Sequence, residues 1–138
     1  MRKILFRGKH IHVHPKNEHL DGRWVYGYLC DENYINSPEL EGELLVDPET
    51  VCQYTGLTDK NGRKIFEGDI LSGERYHDYG QGGEYVPDKC VIEWNEKRAA
   101  FDPVYWWRGY NHDLANYEII GNIFDNPELI VGEKSMRV

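Results

Sequence analysis

Hydrophobic and polar positions alternate in short runs along most of the chain, and the period is that of extended strand, not helix. The clearest run is 23–29, where Trp24, Tyr26 and Tyr28 share one face and Val25, Gly27 and Leu29 the other. His10, Ile11, His12, Val13 and His14 alternate in the same way after a short apolar segment at 3–7, and Pro15 ends the run. Asp21-Gly22 predicts a hairpin turn, and 31–42, acidic and broken by Pro38 and Gly42, reads as a surface loop around a short Tyr34-Ile35 pairing. Residues 50–55 are rich in β-branched and ring side chains between turn formers and predict a strand. Asn61-Gly62 marks a tight turn before Ile65-Phe66, and Gly68-Asp69 a second reversal before Ile70-Leu71. From 72 to 88, Gly73, Gly80, Gly82 and Gly83 sit among charges and rings (Tyr76, His77, Tyr79, Tyr85), which reads as a long mobile loop. Strands are expected again at 89–94, with Cys90, Ile92 and Trp94 on one face, at 99–107 with a bend at Pro103, and at 117–123. Asp125-Asn126-Pro127 then predicts a capped, short C-terminal turn of helix. No apolar pattern holds a 3.6 period over ten residues, so the fold class is mainly β.

Composition supports a folded domain. The chain has 138 residues, 40% hydrophobic and 13% aromatic, enough to bury a core without disulfides or a metal. Cys30, Cys52 and Cys90 contain no CxxC pair and read as buried free thiols of a reducing cytosol. No apolar stretch approaches a spanning helix or a leader's hydrophobic region, so the expected location is the cytoplasm. The net charge of −8 argues against wrapping nucleic acid by bulk electrostatics. It is unevenly spread: residues 1–23 sum to +4 and residues 24–59, with eight acids and no base, to −8. The two stretches are expected to neutralise each other within one chain, with head-to-tail meeting of two copies as the alternative.

Several constellations carry residue types that chemistry uses. Alternate histidines at 10, 12 and 14 have the spacing of a partial metal site, yet no carboxylate or thiolate completes it, and a solvated strand face explains them. Glu67 and Asp69 alternate as a pair of catalytic acids would, but Asp69 after Gly68 is a turn residue first. The glycines at 80, 82 and 83 lack the lysine and helix start of a phosphate loop. No catalytic residue, metal or cofactor is therefore assigned. The rings Tyr105, Trp106, Trp107 and Tyr110 around Arg108, with Tyr79 and Tyr85 of the 72–88 stretch, are the types that concentrate at protein interfaces. The expected activity is binding of a protein partner or a second copy. The alternative is single-stranded nucleic acid, with Arg2, Lys3, Arg7 and Lys9 on phosphates and the aromatic side chains on bases.

Six segments taken in order resemble one family, the phage-associated YopX proteins. They are Arg2 with 6–9 (FRGK), Trp24 followed by Gly27, 50–57 (TVCQYTGL), 59–62 (DKNG), 65–70 (IFEGDI), and 118–123 (EIIGNI) with 125–129 (DNPEL). The resemblance implies a single unit over 1–131, made of an N-terminal β segment (1–49) and a small barrel of the SH3 type (50–131), with 132–138 as a tail. It implies a phage, prophage or bacterial host setting, in which the nucleic-acid alternative would be an accessory to phage replication or regulation. It implies no reaction, cofactor or catalytic residue, and it places what is particular to this member in 72–88 and 98–116. The shared segments themselves are rich in turn and cap residues, which points to scaffolding.

Overall fold

The computed structural model describes residues 5–11, 21–31, 33–40, 42–97, 99–102 and 116–130, and these divide into two compact units, 1–56 and 57–138. The described residues are mainly strand, with short 3-10 turns such as Pro48–Thr50 and Pro127–Leu129 and no α-helix.

In the first unit, β1 (Phe6–Lys9) lies between β2 (Trp24–Asp31) and β5 (Cys52–Thr58), and β3 (Tyr34–Ser37) and β4 (Gly42–Leu45) follow β2 outward, every pair antiparallel. The alternation read from the sequence governs β2: Val25 is buried, while Tyr26 and Tyr28 are exposed on the other face. Val25, Ile35, Leu44 and Val46 form the core, with Phe6, Leu40 and Val51 packed against it. The stretch expected to be a loop around Tyr34-Ile35 is instead the ladder of β3 with β4, because Ile35 and Leu44 are paired partners in that core. A 3-10 turn, Pro48–Thr50, leads into β5; Asp47 caps it by accepting the Glu49 N–H at 3.0 Å.

In the second unit, the end of β5 turns at Asn61-Gly62 into β6 (Lys64–Phe66), as expected. The buried side chains of Ile65, Leu71, Cys90, Ile92, Phe101 and Tyr117 make its core, with Ile119 against it. β7 (Asp69–Asp78) runs between β8 (Gly83–Val91) and β11 (Glu118–Asn122). β9 (Glu93–Asn95) and β10 (Ala100–Asp102) form a small separate hairpin in which Trp94 packs edge-on to Phe101, ring centres 5.0 Å apart. The anticipated 89–94 strand is thus broken at Ile92, and Trp94 is 44% exposed where Cys90 and Ile92 are buried.

Four further expectations need correction. The 72–88 stretch is not a loop: it is most of the β7–β8 hairpin, with full register from Ile70↔Val91 to Asp78↔Gly83. The sheets are open, in the orders β4-β3-β2-β1-β5-β6, β11-β7-β8 and β10-β9, so no closed SH3-like barrel is present among the described residues. Closure would need a strand paired along β8 or β11, and both are edge strands of their sheet. At the C-terminal end Asn126 does not cap the helical turn that follows; its Oδ1 accepts instead from the Asn122 N–H at 3.2 Å, and the turn itself is a single 3-10 turn, Pro127–Leu129, with the proline at its start. Finally, Cys30 is exposed, while Cys52 and Cys90 are buried thiols.

Candidate functional site

The shared sequence segments of the second unit interlock as scaffolding. Asp59, 4% exposed, accepts the N–H groups of Asn61 and Arg63 at 2.9 Å each and of Ile119 at 3.0 Å. Burial pushes its carboxyl up; the three N–H donors, with the Arg63 charge, more than offset that and hold it below the usual carboxylate range. Gly68, at φ 87°, donates its N–H to the Ile92 carbonyl at 2.7 Å and accepts from Ile123 at 2.9 Å. Asp69, 2% exposed, accepts the Phe66 N–H at 2.8 Å. Glu67 lies in the β6–β7 turn while Asp69 opens β7, so the two acids do not share a strand face. The β7–β11 register slips between Ile119 and Gly121, the bulge that the glycine allows.

The β7–β8 hairpin stands on this frame. At its root Leu71 pairs with Cys90 in the core, and one step out Gly73 faces the Tyr117 ring. A Cβ at Gly73 would sit 2.6 Å from Tyr117 Cγ, so the ring can lie there only over a glycine. The Tyr117 hydroxyl donates to Asp88 Oδ2 at 2.8 Å, and Arg75 Nε is 3.7 Å from Asp88 Oδ1. Burial, then the bond and the charge of Asp88, raise the Tyr117 phenol far above its ordinary value.

Beyond Gly73 the hairpin is a polar, solvent-facing arm. Tyr76, Tyr79 and Tyr85 are 51%, 64% and 69% exposed. Tyr76 and Tyr85 are directly opposed and meet edge-on, ring centres 5.4 Å apart. On the other face His77 packs edge-on to Tyr79 at 4.5 Å, and the Tyr79 hydroxyl donates to Glu84 Oε1 at 2.8 Å. The tip is fixed by its own bonds: Asp78 Oδ1 accepts from Gly80 N at 2.7 Å, and Tyr79 N donates to the Gly82 carbonyl at 2.8 Å. Gly80 and Gly82, at φ 97° and 106°, belong to this hairpin tip and not to a phosphate loop. Pro87 sits on β8, the edge strand of its sheet, where a missing N–H is tolerated. Glu74, Asp78 and Glu84 against Arg75 give the arm a net charge of −2 with histidine neutral.

Of the residues singled out from sequence, Tyr79 and Tyr85 are on this arm. Tyr105, Trp106, Trp107, Arg108 and Tyr110, and likewise Arg2 and Lys3, lie outside the described residues. Arg7 and Lys9 lie in the first unit with Trp24: the Arg7 guanidinium carbon is 4.7 Å and the Lys9 Nζ 5.5 Å from the ring centre, and Arg7 is only 5% exposed. His10 is not on a wet face. It is 3% exposed and bridges to Val46, and its Nδ1–H donates to the Leu45 carbonyl at 2.7 Å; His12 and His14 lie outside the described residues. No group of three or more His, Cys, Asp or Glu side chains able to hold a metal occurs among the described residues. No helix of the described residues is long and apolar enough to cross a membrane. Sequence reasoning missed Tyr76, Glu74 and Asp78 as site residues. The signal that finds them is the flanking pattern: apolar Ile70-Leu71 and Cys90-Val91 stand on either side of the glycine cluster at 80–83, as the two roots of a hairpin would.

A frame of interlocked turns under a solvent-facing aromatic arm defines a mainly β protein. The chain belongs to the YopX family: the family model described as YopX protein matches residues 8–131. No protein of curated function matches it.

Proposed function

We propose that this protein is a phage- or prophage-encoded, non-enzymatic binding module that engages a protein partner through the β7–β8 arm in the cytoplasm of the bacterial host. The supporting observation is the arm itself: Tyr76 and Tyr85 on the ladder and Tyr79 at the tip, all three rings more than half exposed and the tip fixed by hydrogen bonds. Rings held this way bury large area at little cost in side-chain freedom when a partner covers them. The arm's net acidity opposes a polyanion, and of the basic groups assigned to phosphates Arg7 is buried against Trp24, both of which favour protein over single-stranded nucleic acid.

The test is affinity capture from phage-infected cells with the intact chain and with Tyr76→Ser/Tyr79→Ser/Tyr85→Ser. The variant is expected to keep its circular dichroism spectrum and to lose the captured protein. Equal capture by both chains, or retardation of single-stranded oligonucleotides at low salt by the intact chain, overturns the reading.

A further inference from the structure

The two faces of the arm differ in charge in a way that specifies its ligand. β7 alternation places Glu74 and Asp78 two residues either side of Tyr76, on the face that Tyr85, Pro87 and Gly83 share from β8. This face presents an edge-on pair of tyrosines with a carboxylate at each end, at strand spacings of about 6.5–7 Å from Tyr76. Beyond Gly73 it carries no basic side chain; Lys89, the next residue inward on this face and opposite Ser72, directs its Nζ to the Leu129 carbonyl at 3.1 Å. Arg75 belongs to the opposite face, where Asp88 lies 3.7 Å from it, and His77 lies on that face against Tyr79. Asp78 spends one oxygen on the Gly80 N–H. Tyrosine faces attract a cation through the ring quadrupole, and flanking carboxylates add charge and hydrogen-bond acceptors suited to a guanidinium or ammonium group.

Resting on the reading of the arm as a protein-binding element, we infer that its Tyr76–Tyr85 face receives the cationic side chain of an arginine or lysine projecting from a basic segment of the partner. The sequestering of the arm's own cation on the far face leaves this one complementary to a positive ligand. Specificity is for charge: an uncharged isostere of arginine retains the shape and loses both the ring attraction and the carboxylate pairing.

The probe is the peptide acetyl-Gly-Ser-Arg-Ser-Gly-amide, with the same peptide carrying citrulline as the uncharged control, titrated into the full chain while the ring resonances of Tyr76 and Tyr85 are followed by NMR. The arginine peptide is expected to shift these two rings saturably and to bind about fivefold more tightly than the citrulline peptide. Glu74→Gln/Asp78→Asn, which keeps the acceptor for Gly80, is expected to remove most of that difference, and added salt to reduce it. Equal binding of the two peptides, no shift of these rings, or an unchanged preference in Glu74→Gln/Asp78→Asn overturns the inference. If the tyrosine variant loses its captured partner while the arginine peptide shows no preference, the arm is still the binding element and only its cationic ligand is refuted.

Discussion

At its root the β7–β8 hairpin sets Leu71 opposite Cys90, both inside the core; further out the same ladder sets Tyr76 opposite Tyr85, both more than half exposed. The strands, the register and the handedness of pairing are continuous between the two places. What changes is the support on either side. The root has β11 along β7 and the Tyr117 ring over Gly73, whereas the outer part is a two-stranded ribbon along which β11 does not extend. A ribbon of two strands is marginal by itself, so the arm depends on how firmly its root is held. The comparison teaches where sequence is constrained: at the root each residue answers to a neighbour, and in the arm only the turn glycines and the cross-strand pairs do.

Substitutions at the root should break this division most strongly. Asp59→Ala removes the acceptor for three N–H groups, including that of Ile119 in β11, and is expected to cost about 3 kcal/mol by urea denaturation. Because the Asp59 carboxyl is held below its ordinary value of 3.8, the stability it contributes is present above about pH 4 and is lost as pH falls through the lower folded value. A chain whose stability between pH 5 and pH 2 is the same in Asp59→Ala as in the unsubstituted protein would deny Asp59 this part. Next in size, Gly73→Ala drives a methyl against the Tyr117 ring and is expected to cost about 2 kcal/mol, with amide exchange in the arm rising more than in β11.

Tyr117→Phe sharpens the comparison by removing one bond and no ring. The expected loss is about 1 kcal/mol near neutral pH, since Asp88 keeps Arg75 beside it. The alkaline side is more telling. A phenol whose folded value is raised stays protonated in the native state while the unfolded one ionises, so its stabilising contribution is complete below about pH 10 and declines above it. Tyr117→Phe should flatten that decline in a pH series of thermal melts; an equally steep decline would mean that other groups set it.

Much of the scaffold was legible because it is local. Asn61-Gly62 and Gly68-Asp69 are read from the backbone demands of single residues, and the 23–29 alternation from one buried face. The arm was not legible for the complementary reason. Period-2 patterning reports burial of one face, and an arm wet on both faces has none to report, so its glycines and charges resemble a loop. His10 misled in the opposite sense. Its alternation is real, but a bridge to Val46, distant in sequence, buries it, and nothing within a few residues of His10 encodes that contact. The tyrosines at 79 and 85 were picked out by residue type alone; that Tyr76 joins Tyr85 follows only from the register.

The smallest expected effect is the one that would most damage the division if it failed. Tyr85→Ser deletes a ring that is 69% exposed and touches Tyr76 edge-on. Exposed substitutions away from caps and buried bonds stay within about 0.5 kcal/mol, and an edge-on pair at the surface adds about that much again at most. The change in denaturation midpoint should therefore be near the limit of measurement, while the shift in Tyr76 ring resonances should be plain. A loss of about 2 kcal/mol would place Tyr85 among the groups that hold the fold, and the arm would then be an extension of the core and not a free element presented to a partner.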